Sequence, residues 1–173
     1  MAGNCITDDA AVRDAANQEI LRRYYSAICE ERHGADTRKE QEKILAALRP
    51  FAKGRIVTLF GCPGNRDATK RPKMAKAVAE GSDYIILSSD NPRDEDPEAI
   101  IADITPGADQ AGKSYEVVVD RREAIRHAMD IAKKDDIIVL AGKGHETYQE
   151  IHGVKHHMDE REIVAEILEE KRG

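Results

Sequence analysis

A short polar segment, Asp90-Asn91-Pro92-Arg93, directly follows the β-favouring run at 84–89. Asn91 offers both a donor and an acceptor, Arg93 offers a planar fork that suits a carboxylate, and Asp90 can accept from an ammonium. The same residues also suit an ordinary turn, in which Arg93 would pair in water with the acidic residues that follow it. Local chemistry therefore leaves a binding loop and a structural turn both open.

A glycine-containing loop at 61–67 follows a second β-favouring run and could bring backbone N–H groups close to an anion. It matches neither GxxxxGK[ST] nor GxGxxG, the loops of common nucleotide-binding folds. Arg66, Lys70 and Arg71 lie close together in the sequence and could hold a carboxylate or a phosphate. The alternative is a solvated basic helix start that pairs with Asp67.

A third loop, residues 141–146, follows another apolar run. Gly142 and a second glycine flank Lys143, a possible anion-binding residue, while His145 and Glu146 form a titratable pair. Three more histidines lie downstream, but their spacing matches no zinc-binding pattern. We predict no metal site and no resident cofactor.

The elements that must position these loops alternate between short β-branched runs and longer stretches of helical period, which is typical of βαβ units. We therefore expect an α/β fold with a mostly parallel sheet of five or six strands and helices on both faces. In a parallel sheet, all three loops would emerge at one edge, where such folds bind ligands. The predicted strands are 55–60, 84–89, 116–120 and 136–142, and the helices after residue 70 are about 71–80, 97–104, 121–133 and 159–171.

The composition narrows the class of protein. A formal net charge of −6 argues against a nucleic-acid partner. No apolar run approaches the roughly 20 residues that span a bilayer, and no signal peptide is recognisable, so we expect a cytoplasmic protein without a membrane partner. Three cysteines without CxxC spacing predict reduced thiols.

The first part of the chain has a different pattern, with helical periodicity over 9–32 and 37–49. We predict that residues 1–42 form a helical extension and that residues 43–173 form the α/β domain. The apolar stripe of the first helix would pack against that domain or mediate self-association.

Four segments resemble a known family in their residues and in their order along the chain: FGCPGNRDATKRPKMA, SSDNPRDEDPEAIIADI, VVDRREAIRHAM and AGKGHETYQEI. Together they are similar to the C-terminal domain of the Mur ligases of peptidoglycan synthesis, over about residues 43–170. The DNPR version of the second segment resembles the members that add meso-diaminopimelate. The glycine loop has Pro63 and Asn65 where relatives usually read GCGGDRD.

The resemblance implies a Rossmann-like strand order and a role for each matched residue. It implies that Arg66, Asp90, Asn91 and Arg93 bind diaminopimelate, and that Gly142 and Glu146 hold its distal end. In the complete ligases, ATP and magnesium serve a central domain that activates the carboxylate of UDP-muramoyl-dipeptide. This sequence has no phosphate loop of that kind, so we expect no ligase activity from the chain alone.

Three hypotheses follow. The chain could be the amino-acid-binding domain of a diaminopimelate-adding ligase, functional with the missing ligase domains. It could be a non-catalytic module that senses diaminopimelate or a cell-wall peptide, with residues 1–42 binding a partner. It could also be an independent enzyme that uses Lys143, His145 and Glu146.

Overall fold

The structure, a computed structural model, describes residues 37–144 and 146–172. The described helices are α1 (Thr37–Leu48), α2 (Arg71–Gly81), α3 (Pro97–Gln110), α4 (Arg121–Ile131) and α5 (Glu160–Arg172). The strands are β1 (Ile56–Phe60), β2 (Tyr84–Leu87), β3 (Tyr115–Val117), β4 (Ile137–Ala141), β5 (Tyr148–Ile151) and β6 (Val154–His157). Within these residues no helix is long and apolar enough to cross a membrane.

The central sheet has four parallel strands in the order β3-β2-β1-β4. Strands β5 and β6 pair with each other as an antiparallel hairpin, which forms a separate two-stranded sheet. One isolated bridge, between Arg93 and Ile151, connects this hairpin to the loop after β2. The α/β class and the parallel sheet are confirmed, whereas five or six strands in that sheet are not confirmed among the described residues.

Helices cover both faces of the sheet because alternate residues of β1 point to opposite sides. Ile56 and Phe60 belong to one buried cluster, which α1, α2 and α3 complete. Val57 and Leu59 belong to a second cluster, formed with α4 and α5. The core therefore lies in two layers, and the carboxyl ends of the strands stay free to carry loops.

The predicted end of α3 was too early, because the helix continues six residues past Ile104 with Pro106 inside it. Packing explains the continuation. A Cβ at Gly107 would lie 1.9 Å from the carbonyl oxygen of Pro72, so the absence of a side chain lets α3 approach α2 closely. Tertiary packing thus overrides the local preference of the proline to end a helix.

One other prediction differs from the structure. The strand predicted at 116–120, expected like the others to lie between helices on both faces, is β3 (Tyr115–Val117), an edge strand whose Val117 is 48% exposed. Helix α1 spans the boundary predicted between residues 42 and 43, and its Leu45 and Leu48 are buried in the core; the division into two domains stays a prediction. The predicted helix at 9–32 lies outside the described residues.

Candidate functional site

A pocket of about 710 Å³ opens at the carboxyl ends of β1, β2 and β4. The loops predicted to converge do so, since the loop after each of these strands contributes lining residues. All nine residues that sequence reasoning singled out for ligand or anion binding line this pocket: Arg66, Lys70, Arg71, Asp90, Asn91, Arg93, Gly142, Lys143 and Glu146. His145 lies outside the described residues.

Asn91 joins the loops around the pocket through its side-chain amide. Its Nδ2 donates to Oε2 of Glu146 at 2.7 Å. Its Oδ1 accepts from Nζ of Lys143 and from the backbone N–H of Glu150, both at 2.9 Å. Because Asn91 is only 3% exposed, it fixes the relative positions of the loops after β2 and β4 and of strand β5.

Arg93 has a left-handed backbone, with φ of 53°, and its guanidinium reaches two different elements. Nε donates to the Glu150 carboxylate at 3.3 Å, and Nη1 donates to the Gly64 carbonyl at 2.7 Å. Pairing with the acidic residues that directly follow it, one of the two sequence-based alternatives, is therefore not what the structure shows. The guanidinium is half-buried at the wall of the pocket.

The glycine loop after β1 lies against the Asn91-Pro92 segment. The Gly64 N–H donates to the Asn91 carbonyl at 2.8 Å, and a Cβ at Gly64 would lie 1.9 Å from the Pro92 carbonyl oxygen. Asn65 has a φ of 54°, a conformation that asparagine tolerates better than most residues. Its side chain donates to Asp94 at 2.7 Å, so the unusual residue at this position still connects the two loops.

The basic residues of the first loop divide into two groups. Arg66 and Lys70 are exposed at the pocket rim. Arg71 is 3% exposed, and its guanidinium donates to Asp103 at 2.8 Å and to Glu95 at 2.9 Å. Arg71 therefore connects α2 to two carboxylates of the following segment, while Arg66 and Lys70 remain accessible to a bound anion.

Lys143 and Asp90 form the buried floor of the pocket, with Nζ of Lys143 3.7 Å from Oδ1 of Asp90. Burial lowers the pKa of Lys143, and the nearby Asp90 opposes that effect. Burial raises the pKa of Asp90, against the attraction of Arg121 and Lys143. Lys143 Nζ also lies 3.8 Å from Glu146, so this lysine serves as an internal counter-ion to both carboxylates.

Gly142 lies beside this floor with a φ of 119°, a region that side chains rarely adopt. A Cβ there would lie 2.7 Å from Oδ2 of Asp90. Glycine at this position therefore leaves room for the Asp90 carboxylate, and a residue with a side chain would not.

Sequence reasoning missed Arg121, which is completely buried behind the pocket floor. Its Nε donates to Glu160 at 2.6 Å, and its two terminal nitrogens donate to the carbonyls of Ser89 and Ala141 at 3.3 and 3.0 Å. These carbonyls lie just before the two loops that carry Asp90 and Gly142. No local signal distinguishes Arg121 from the exposed Arg122 beside it.

The sequence also did not indicate that Cys62 lines the pocket, because a single cysteine without a recognisable spacing predicts no site. It is buried at the pocket wall, and burial together with Asp90 raises the pKa of its thiol to about 12.

Glu150 was missed because the strand that carries it was not predicted. The available signal in the sequence was Gly153, which forms the two-residue turn of that hairpin with His152, at φ of 74° and 48°.

The pocket lining thus includes the guanidinium groups of Arg66 and Arg93 and the carboxylates of Asp90 and Glu146. Guanidinium groups bind carboxylates, and carboxylates bind ammonium groups. Parallel α/β folds bind ligands at this edge of the sheet, and the charges of both signs around the pocket suit a small zwitterionic ligand.

The comparisons with known proteins identify the family. Residues 34–144 match the family model described as Mur ligase, glutamate ligase domain, and the chain belongs to this family. Residues 1–51 also match a second model, the N-terminal part of a domain of unknown function, DUF1846. The predicted resemblance to the C-terminal domain of the Mur ligases is confirmed.

Relatives named UDP-N-acetylmuramoyl-L-alanyl-D-glutamate–2,6-diaminopimelate ligase share about half of the aligned residues. The protein from Clostridioides difficile is 50% identical over 134 residues, covering 78% of this chain and 28% of the relative. The protein from Bacillus cereus is 47% identical over 144 residues, covering 83% of this chain and 28% of the relative. A solved structure of a ligase with the same name superimposes with a TM-score of 0.75 at 41% identity, covering 79% of this chain and 28% of the other. The chain therefore spans about 28% of the length of these relatives.

Proposed function

We propose that this chain binds meso-diaminopimelate in the pocket at the carboxyl edge of its sheet. It would present the amino acid to the domains of a peptidoglycan-precursor ligase that activate UDP-muramoyl-dipeptide. The observation that carries the proposal is the convergence of Arg66, Arg93, Asp90 and Glu146 on one pocket. Relatives of about 50% identity carry diaminopimelate in their names, which supports the choice of ligand.

The charges of this ligand explain why both signs are needed. Diaminopimelate carries an ammonium and a carboxylate at each end. In the proposal, Arg93 and Asn91 bind one end together with Arg66, and Gly142 and Glu146 bind the distal end. Lysine has a carboxylate at only one end. With its ε-ammonium end at Arg93, lysine would leave that guanidinium without a ligand carboxylate in a partly buried site.

The chain's contribution to the reaction would be positioning. Holding the attacking amine in place reduces the entropy lost in the bond-forming step. ATP and magnesium would act on the other ligase domains, and the residues proposed here would bind and orient the amine without activating the carboxylate. Exposed Lys70 would add positive charge at the rim, whereas buried Lys143 would keep Asp90 and Glu146 in position.

Calorimetric titration tests this proposal with meso-diaminopimelate as ligand and L-lysine as the comparison. We expect heat with diaminopimelate, little with lysine, and a loss of binding in Arg93→Ala and in Glu146→Ala. Arg122→Ala is the matched control, because its guanidinium pairs with Glu166 on the exposed helix surface. Absence of heat with millimolar diaminopimelate, from a chain with a cooperative unfolding transition, would refute the proposal.

A second function has one observation in its favour. Residues 1–51 match a family model other than the Mur ligase model, which begins at residue 34. The chain could therefore be a binding module for diaminopimelate or a cell-wall peptide that contacts a partner through residues 1–42. Restoration of ligase turnover by supplying the missing ligase domains in trans favours the first function. A defined oligomer that is lost when residues 1–36 are removed favours the second.

A further inference from the structure

Glu150 makes three contacts with the loop that carries Asn91 and Arg93. Its backbone N–H donates to Asn91 Oδ1 at 2.9 Å, and its carbonyl accepts from the Arg93 N–H at 3.0 Å. Its carboxylate accepts from Arg93 Nε at 3.3 Å. The hairpin strand therefore holds both the backbone and the guanidinium of Arg93.

The arginine needs such restraint. Its backbone is in the left-handed region, which is uncommon for a residue with a long side chain. The next contact along the hairpin, from the His152 N–H to the Arg93 carbonyl at 2.9 Å, secures the same residue from its other side. Arg93 is thus anchored by an element that belongs neither to β2 nor to the parallel sheet.

The two side-chain bonds of Arg93 leave part of its guanidinium available. Nε is used by Glu150 and Nη1 by the Gly64 carbonyl. Nη2 has no acceptor among the residues that the structure describes, although the side chain is only 20% exposed. A carboxylate in the pocket could bind Nη2 in a fixed direction, because rotation of the guanidinium would break both existing bonds.

We propose that Glu150 is a positioning residue: its carboxylate fixes the Arg93 guanidinium so that the pocket favours ligands with a carboxylate at that end. This inference rests on the proposed function, since it assumes that the ligand carboxylate is bound by Arg93. Replacing Glu150 is expected to reduce the selectivity between ligands without unfolding the domain. Removing the carboxylate would let Arg93 adopt several rotamers and would weaken the binding of its anionic partner.

The test is titration of the full chain and of Glu150→Gln with meso-diaminopimelate and L-lysine. We expect Glu150→Gln to raise the Kd for diaminopimelate by about fivefold, the scale of one partly exposed ion pair. The Kd for lysine should stay the same, so the ratio of the Kd for lysine to the Kd for diaminopimelate falls. Glu170→Gln is the matched control, because it removes the same charge from an exposed pair with Arg126.

Each result has a distinct meaning. If the unmodified chain binds diaminopimelate and Glu150→Gln keeps the same ratio of constants, the inference is overturned and the proposed function stands. If the unmodified chain binds neither ligand, both are overturned. A second measurement covers the case in which Glu150→Gln folds poorly: the NMR signal of Arg93 Nε–H, assigned by its loss in Arg93→Lys, is expected to be protected from solvent exchange in the ligand-free chain. Rapid exchange of that signal would show that Glu150 does not hold the guanidinium, and would overturn the inference.

Discussion

Replacement of Arg121 by methionine should destabilise the protein far more than the same change at its neighbour Arg122. Arg121 has a fully buried side chain that donates to the Glu160 carboxylate and to two backbone carbonyls. Methionine fills a similar volume but donates to none of them. The Glu160 carboxylate, 9% exposed, would be left buried without its partner.

The structure sets the size of this effect. Breaking a buried ion pair by removing one partner costs about 3–5 kcal/mol, largely through the uncompensated charge that remains. Arg122 pairs with Glu166 on the surface, and its side chain is 45% exposed. Pairs of that kind contribute about 0–1 kcal/mol.

Urea unfolding followed by circular dichroism measures both variants under the same conditions. The double variant Arg121→Met, Glu160→Leu should recover much of the lost free energy of unfolding, because no buried charge remains. If Arg121→Met costs no more than Arg122→Met, the buried network does not support the pocket floor, and the assignment of Arg121 is wrong.

Three further predictions concern single sites. Gly142→Ala should weaken diaminopimelate binding at least tenfold in calorimetry, since the backbone φ of 119° disfavours alanine and the new Cβ would lie 2.7 Å from Asp90 Oδ2; binding at the original affinity would contradict the account. Although burial opposes ionisation, hydrogen bonds led by the Arg55 side chain lower the pKa of Asp136 to about 2. Its stabilising contribution should therefore be complete above about pH 4 and disappear as the pH falls towards 2, so that the unfolding free energies of the original chain and Asp136→Asn converge there; a constant difference over that range would refute this. The Cys62 thiol, with a pKa raised to about 12, should resist alkylation at pH 8 until the protein unfolds, which peptide mapping by mass spectrometry checks; rapid alkylation of the folded chain would contradict its burial.

Local patterns predicted the layers of the fold because strands buried in a parallel sheet leave an unmistakable apolar run. Residues 56–60 and 84–87 are such runs, and their parallel pairing is the one expected of strands joined by a βαβ connection. The hairpin formed by β5 and β6 was missed because its strands are short and mostly polar, with β5 only partly buried and β6 exposed. The extension of α3 past Pro106 was missed because its cause is a contact with another helix.

The residues of the candidate site were also predictable only where local sequence shows their chemistry. Arg66, Asn91 and Arg93 became candidates because side-chain chemistry at the ends of strands is visible in the sequence, and their binding role was implied by the family resemblance. The orientation of Lys143 towards the Asn91 amide and the buried Asp90 carboxylate, and the hydrogen bond from Arg93 to Glu150, join residues more than fifty positions apart in the chain. Such long-range contacts arise only when the fold brings distant segments together, so local sequence patterns cannot indicate them.

The most direct test of the central claim locates the ligand on the protein. A ¹H–¹⁵N correlation spectrum of the full chain, recorded during titration with meso-diaminopimelate, reports each backbone amide separately. We predict saturable shifts concentrated in the pocket-lining loops, at 61–66, 90–93, 142–144 and 146, with L-lysine producing weaker changes in the same places. Shifts centred on another surface, or no shifts at millimolar diaminopimelate, would contradict the claim that this pocket binds the amino acid.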